Sequence, residues 1–400
     1  MIARAGCRVK DEQPRLFPRL AREGDEATHP STGILPYQAI AAMVRSRVIT
    51  AVPDIVNDQI QPASLDLRLG RHAYRVRASF LPGQDATVMT KIEQMDGLPP
   101  LDLQGGAVLE KGCVYVIPLS EHLKLPNDVR GGANPKSSTG RLDVLTRLIT
   151  DRGVAFDNVP VGYEGPLYVE VAPATFSIVV REGSRLNQLR LQRGSSRVSK
   201  EKLIKLHDEG QIIRVADADK PAIQSDDFVP LTVDLRGIGR AGCTIGYRAK
   251  KHTDKIDVDK SAEYDPDHFW ERLEYYSGES LVLDPDEFYI LATREEVGVP
   301  TDLAAEMVPY YPGSGEYRVH YAGFFDPGFG WAEKAGGSRA VLEVRSYVPF
   351  MLEHGQTVGW LRYMRMMSPP ERTYGEGLQS SYQNQGLALS KHFRSTPRRL

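Results

Sequence analysis

"LEKGCVYVIPLSEHLKLPNDV" (109–129) and "LDPDEFYILATREEVGVPTDL" (283–303) are one passage written twice. Each opens on a turn, runs through an apolar strand and reaches a proline, Pro126 or Pro300, 174 residues apart. Two further pairs keep the same order. "ASLDLRLG" (63–70) and "LTVDLRGIG" (231–239) set Asp66 against Asp234, and "YEGPLYVEV" (163–171) and "GSRAVLEVR" (337–345) set Glu170 against Glu343. A helical stretch precedes each D-L-R element. Echoes in one order at nearly one offset mark an internal duplication. The reading is a mobile N-terminal tail (1–33), a first copy (34–194), a second copy (195–370) and a C-terminal lid or tail (371–400).

The secondary-structure signal is mainly β. Runs such as "FSIVV", "EFYILAT" and "AVLEVRSYV" are β-branched or alternating and are broken by Gly, Pro, Asn and Asp. Helical spacing occurs in few places. "PYQAIAAMVRSR" (36–47) has Pro36 suited to a first turn and an Ile40, Met43, Val44 face. "SKEKLIKLHDEG" (199–210) offers Ser199 as N-cap and Gly210 as stop.

With 50 Lys and Arg against 52 Asp and Glu, no net field draws the chain to nucleic acid or a membrane surface. Any anion site is therefore local. No apolar run approaches the roughly 20 residues of a membrane span, and the N-terminus lacks a signal-peptide core, so a cytoplasmic protein is expected. Cys7, Cys113 and Cys243 lie far apart and read as reduced thiols. The zinc-dependent nucleobase deaminases pair an H-x-E with a P-C-x-x-C; that pairing is absent, and no zinc is expected.

One local anion site stands out. "NPKSSTGRLDVL" (134–145) gathers Lys136, Ser137, Ser138 and Arg141 within six positions. Arg141 can fork two phosphate oxygens, Lys136 supplies a point charge, and the hydroxyls donate hydrogen bonds. Helix, then "QPASLDLRLG", then "KSSTGR", then a turn and a strand with "LYVE" resembles dCTP deaminase and its relatives in the dUTPase superfamily. "FFDPGFG" (324–330), "AVLEVRSYVPFMLEHGQTVGWLRY" (340–363) and "YGEGLQSSYQNQG" (374–386) carry the likeness through the second copy. It looks closest to the long, tandem form of that deaminase.

The resemblance implies two tandem dUTPase-like distorted β-barrel (jelly-roll-like) domains and a site for a deoxynucleoside triphosphate. Lys136, Ser137, Ser138 and Arg141 would grip its phosphates. Asp326 would hold the deoxyribose 3′-hydroxyl, and Val341 belongs to the substrate-binding set. Tyr374 and Gln385 match a lid. Glu343 and Glu170 both match the catalytic position, where a carboxylate activates the water that attacks cytosine C4. The copies differ. The second has "GSGEYR" (313–318), keeping Ser314 and Arg318 but losing the leading base; the first has Pro160 at the gap-free counterpart of Asp326, with Asp157 three residues earlier able to serve through a bulge. One composite site, phosphates on copy 1 and base and sugar on copy 2, is thus set against two separate sites.

The implied activity is metal-independent deamination of dCTP to dUTP and ammonia, with Mg2+ carried by the triphosphate. The alternatives are a dUTP diphosphatase, a bifunctional deaminase-diphosphatase, or a non-catalytic nucleotide sensor. The family's sites join neighbouring subunits of a ring, so a homo-oligomer is expected, a homotrimer being the smallest fully closed solution.

Overall fold

Alternation in the first long strand fixes which face is buried. In Val114–Lys124 the side chains of Tyr115, Ile117, Leu119 and Leu123 point inward, as the pleat dictates. Glu121 shares that face and is held by Arg68 Nε at 2.9 Å and Gln59 Nε2 at 3.0 Å, which satisfies a carboxylate that burial would otherwise make costly. The computed structural model describes residues 32–95, 98–215, 223, 228–237, 242–275, 280–308, 317–320 (backbone), 323–331, 337–375 and 385–395. From Thr32 onward the chain forms one compact unit. No helix among the described residues is long and apolar enough to cross a membrane.

The strands of the described residues group into six small sheets, with a few short helices between them. One sheet of the first half runs His72–Val76, Val114–Lys124, Glu164–Pro173, Val144–Thr150, all antiparallel. A second centres on Asn187–Arg193, flanked by Leu65–Leu67 and Val129–Pro135, with Asn158–Val159 beyond. The second half repeats both. Phe288–Val297 lies between Thr244–Ala249 and Ser338–Ser346, and Tyr317–His320 follows outside. Leu303–Val308 lies between Thr357–Arg365 and Phe324–Phe325. The halves are stitched together by a parallel pairing of Ile178–Val180 with Ile256–Asp257.

The repeat is exact at the level of register where it matters. Glu170 stands opposite Val116 and Arg147; Glu343 stands opposite Ile290 and His320. Val159 stands opposite Gly131 and Phe325 opposite Ala305, which makes the next residue, Pro160, the positional counterpart of Asp326. Asp157 does not step into that place through a bulge. Its Oδ1 instead accepts a hydrogen bond from the Leu148 amide at 2.8 Å, and burial pushes its carboxyl up to about 7.

The two anticipated helices form over Tyr37–Arg45 and Lys200–Asp208. The first buries Tyr37, Ile40, Ala41 and Met43, while Val44 is only half-buried, so its inward face sits one position round from the anticipated one. The second is capped by Ser199, whose hydroxyl accepts from the Lys202 amide, and stops at Gly210 with φ +66°.

Candidate active site

A polar cavity of about 680 Å³ opens between the two halves. The first half contributes Asp66, Lys136, Ser137, Ser138, Arg141 and Gln188; the second contributes Phe324, Phe325, Asp326, Val341 and Glu343. The C-terminal segment adds Tyr374, Gln385 and Lys391.

The donor cluster begins where the strand Val129–Pro135 ends. Extended backbone at Lys136 leads into one helical turn, Ser137–Gly140, which turns Ser138 and Arg141 inward. Lys136 forms an ion pair with buried Asp66. Arg141, 3% exposed, donates from Nη1 to Gln385 Oε1 at 3.0 Å and to the Ala388 carbonyl at 3.2 Å. Its Nε lies 3.8 Å from Glu343 Oε1.

Glu343 sits on the strand Ser338–Ser346, two residues beyond Val341, and is 6% exposed. Burial pushes its carboxyl up to about 8, while the Arg141 guanidinium pulls the other way and loses. A carboxyl tuned to the neutral range can take and return a proton, which an ordinary surface glutamate does poorly.

Asp326 is placed by the hairpin after Phe324–Phe325. Its Oδ1 accepts from Arg190 Nη2 at 3.0 Å, and Arg190 Nη1 donates to the Ala305 carbonyl at 3.0 Å. The guanidinium lies 3.9 Å from the Phe324 ring centre. Asp326 is shifted up and Arg190 down, each chiefly by burial, so desolvation outweighs their mutual attraction. The hairpin continues through Gly328, at φ +96°, where a Cβ would stand 3.0 Å from the Tyr374 backbone. That close approach lets the Tyr374 ring pack on Phe329, centroids 5.6 Å apart.

Glu170 stands elsewhere. It does not line the cavity and is fully buried. Its Oε1 accepts from Arg147 Nε at 3.0 Å and Nη2 at 2.6 Å. Ser314 lies outside the described residues, as does the side chain of Arg318. The cavity therefore brings together Lys136, Ser137, Ser138, Arg141, Asp326, Val341, Glu343, Tyr374 and Gln385, and leaves out Glu170. Arg185, Gln188 and Lys391 line the cavity, and Arg190 holds Asp326 from behind it; the sequence reading singled out none of the four.

Comparison with known proteins identifies the family. The N-terminal domain model of 2′-deoxycytidine 5′-triphosphate deaminase matches residues 31–195, and the C-terminal domain model matches residues 199–393. A crystal structure of 2′-deoxycytidine 5′-triphosphate deaminase from Agrobacterium tumefaciens is 52% identical, with a TM-score of 0.80, over 86% of this chain and 100% of that one. A protein from Beutenbergia cavernae named dCTP deaminase, dUMP-forming, is 33% identical over 135 residues, 33% of this chain and 62% of that protein. One of the same name from Halobacterium salinarum is 28% identical over 188 residues, 45% of this chain and 90% of that protein. Fold and site define a mainly β protein with a polar, cation-lined cavity between two repeats. The chain belongs to the 2′-deoxycytidine 5′-triphosphate deaminase family.

Proposed function

We propose that this chain deaminates dCTP to dUTP and ammonia at the composite cavity. The observation that carries the reading is Glu343, buried on the cavity wall with its carboxyl tuned to about 8 and Arg141 3.8 Å away. Ionised Glu343 takes a proton from water as the oxygen bonds to cytosine C4. That proton is returned to the amino nitrogen, the C4–N bond breaks and ammonia leaves, while the second water proton passes from the oxygen to ring N3 and a carbonyl remains at C4. Arg141 orients the carboxylate. Lys136, Ser137 and Ser138 hold the triphosphate, which brings its own Mg2+. Asp326 accepts the 3′-hydroxyl of the sugar, and Tyr374 and Gln385 close the site.

Each half is read as one distorted dUTPase-like barrel. Each chain then has one working site, because copy 1 has Pro160 where copy 2 has Asp326 and its Glu170 is engaged by Arg147. Ammonia release from dCTP by the purified chain tests the activity; no ammonia at micromolar enzyme would overturn it. A second reading, onward hydrolysis to dUMP, is favoured by the names of the two curated relatives. Chromatography of the nucleotide product separates the two, dUTP alone against dUMP with pyrophosphate.

A further inference from the structure

Over residues 385–395 the chain stays packed on the protein. Ser390 and His392 are each 2% exposed. The Ser390 hydroxyl donates to the Ser138 carbonyl at 2.7 Å, inside the donor cluster itself. His392 Nε2 bonds the Val258 carbonyl at 3.0 Å. The Lys391 carbonyl accepts from the Ala262 amide at 2.9 Å. Phe393 then plugs among Tyr264, Phe269 and Trp270, with ring centroids 5.4 to 6.4 Å away.

The residue between these two buried anchors is Lys391, and it lines the cavity. The residue as a whole is exposed. Partial desolvation first, then the charge of Lys136, holds its ammonium below the usual lysine range, with Asp66, Asp259 and Arg185 also acting on it. Arg185 lines the same cavity and forks Asp58 at 3.1 and 3.2 Å. Three cations thus converge at the end of the cavity where Lys136 sits, whereas the charge acting on Glu343 is that of Arg141. A cation placed by its backbone beside two others gains most from a multiply charged anion.

We propose that Lys391 binds the outer phosphates of the nucleotide and sets the preference for a triphosphate over a monophosphate. The assignment rests on the dCTP-deaminating reading, and the arginine fork at Asp58 supplies a second donor at the same end. The test compares the full-length wild type with Lys391→Met and Lys391→Arg. Two quantities are read: binding of inorganic tripolyphosphate by calorimetry, and ammonia release from dCTP and dCMP. In Lys391→Met, tripolyphosphate affinity falls about tenfold or more, as does the ratio of kcat/KM for dCTP to that for dCMP, the size of one lost charge-assisted contact. Lys391→Arg recovers most of both. Unchanged tripolyphosphate binding, or equal losses on dCTP and dCMP, would overturn the assignment. If the wild type releases no ammonia but loses tripolyphosphate on Lys391→Met, the deaminase reading falls and the phosphate assignment stands.

Discussion

Two glutamates at the same place in a repeated strand have different surroundings, and the cross-strand neighbour accounts for much of the difference. Arg147 lies opposite Glu170 and fastens its Oε1; the register puts His320 opposite Glu343. Glu343→Gln is expected to lower kcat for ammonia release by roughly 10²–10⁴-fold, the usual worth of a general acid–base group. Glu170→Gln keeps kcat within about threefold and costs about 1–3 kcal/mol of stability, because a buried charge-assisted bond to Arg147 is weakened. Parallel turnover and denaturation measurements check both. A Glu170→Gln variant without turnover would refute the composite site. The pH dependence follows from the raised carboxyl of Glu343. If its ionised form is the base, kcat/KM climbs with pH and levels off above about 8. Because the folded protein holds that proton where the unfolded chain does not, this group's contribution to stability is lost as pH rises from the unfolded value near 4.5 through about 8. Thermal melting of Glu343→Gln therefore exceeds that of the wild type by a growing margin towards pH 8.

At the scale of elements, the strand Asn187–Arg193 shows what the sequence could not disclose. "NQLRLQR" alternates, so Arg190 between Leu189 and Leu191 looks like a solvent-facing cation. Another half of the same chain covers that face and turns Arg190 into the partner of Asp326. Asp326 itself was legible, because the repeat and the FDPG turn mark it, and so were Lys136 to Arg141 and Glu343. Nothing in the sequence marks Lys391, since its position depends on where Phe393 finds its aromatic neighbours. Removing one member of the buried pair is instructive: Arg190→Met strands the Asp326 charge and is expected to cost about 3–5 kcal/mol in chemical denaturation. The docked terminal segment has its own pH signature. His392 donates from Nε2 to a carbonyl, so in its neutral form Nδ1 accepts, and the single Ser390 hydrogen faces both Nδ1 and the Ser138 carbonyl. Burial holds His392 down at about 4 against an ordinary 6.5. Its stabilising contribution is present above 6.5 and is lost as pH falls through 4. Melting temperature should decline over that window in the wild type, and the decline should shrink in His392→Phe.

At the scale of the whole molecule, the cavity takes walls from both halves and from the terminal segment of one chain, so the composite site proposed above lies within a single chain. Specific activity is expected to stay constant on dilution through the nanomolar range, whatever oligomer forms. A fall in activity on dilution, tracked by light scattering, would instead tie the site to assembly and to the ring anticipated from the family. The mainly β class, the duplication and the cluster of donors at Lys136 to Arg141 could all be read from the sequence. The small separate sheets could not, because pairings such as Ile178–Val180 with Ile256–Asp257 join segments that share no pattern. Pro160 carries a wider consequence. In a protein built from identical subunits, every substitution is imposed on all copies of a site, so a proline at the position of Asp326 would remove the proposed sugar contact from each one. Covalent fusion lifts that constraint. One repeat can shed its half of the chemistry while the other sheds the complementary half, and from then on neither can be inherited alone.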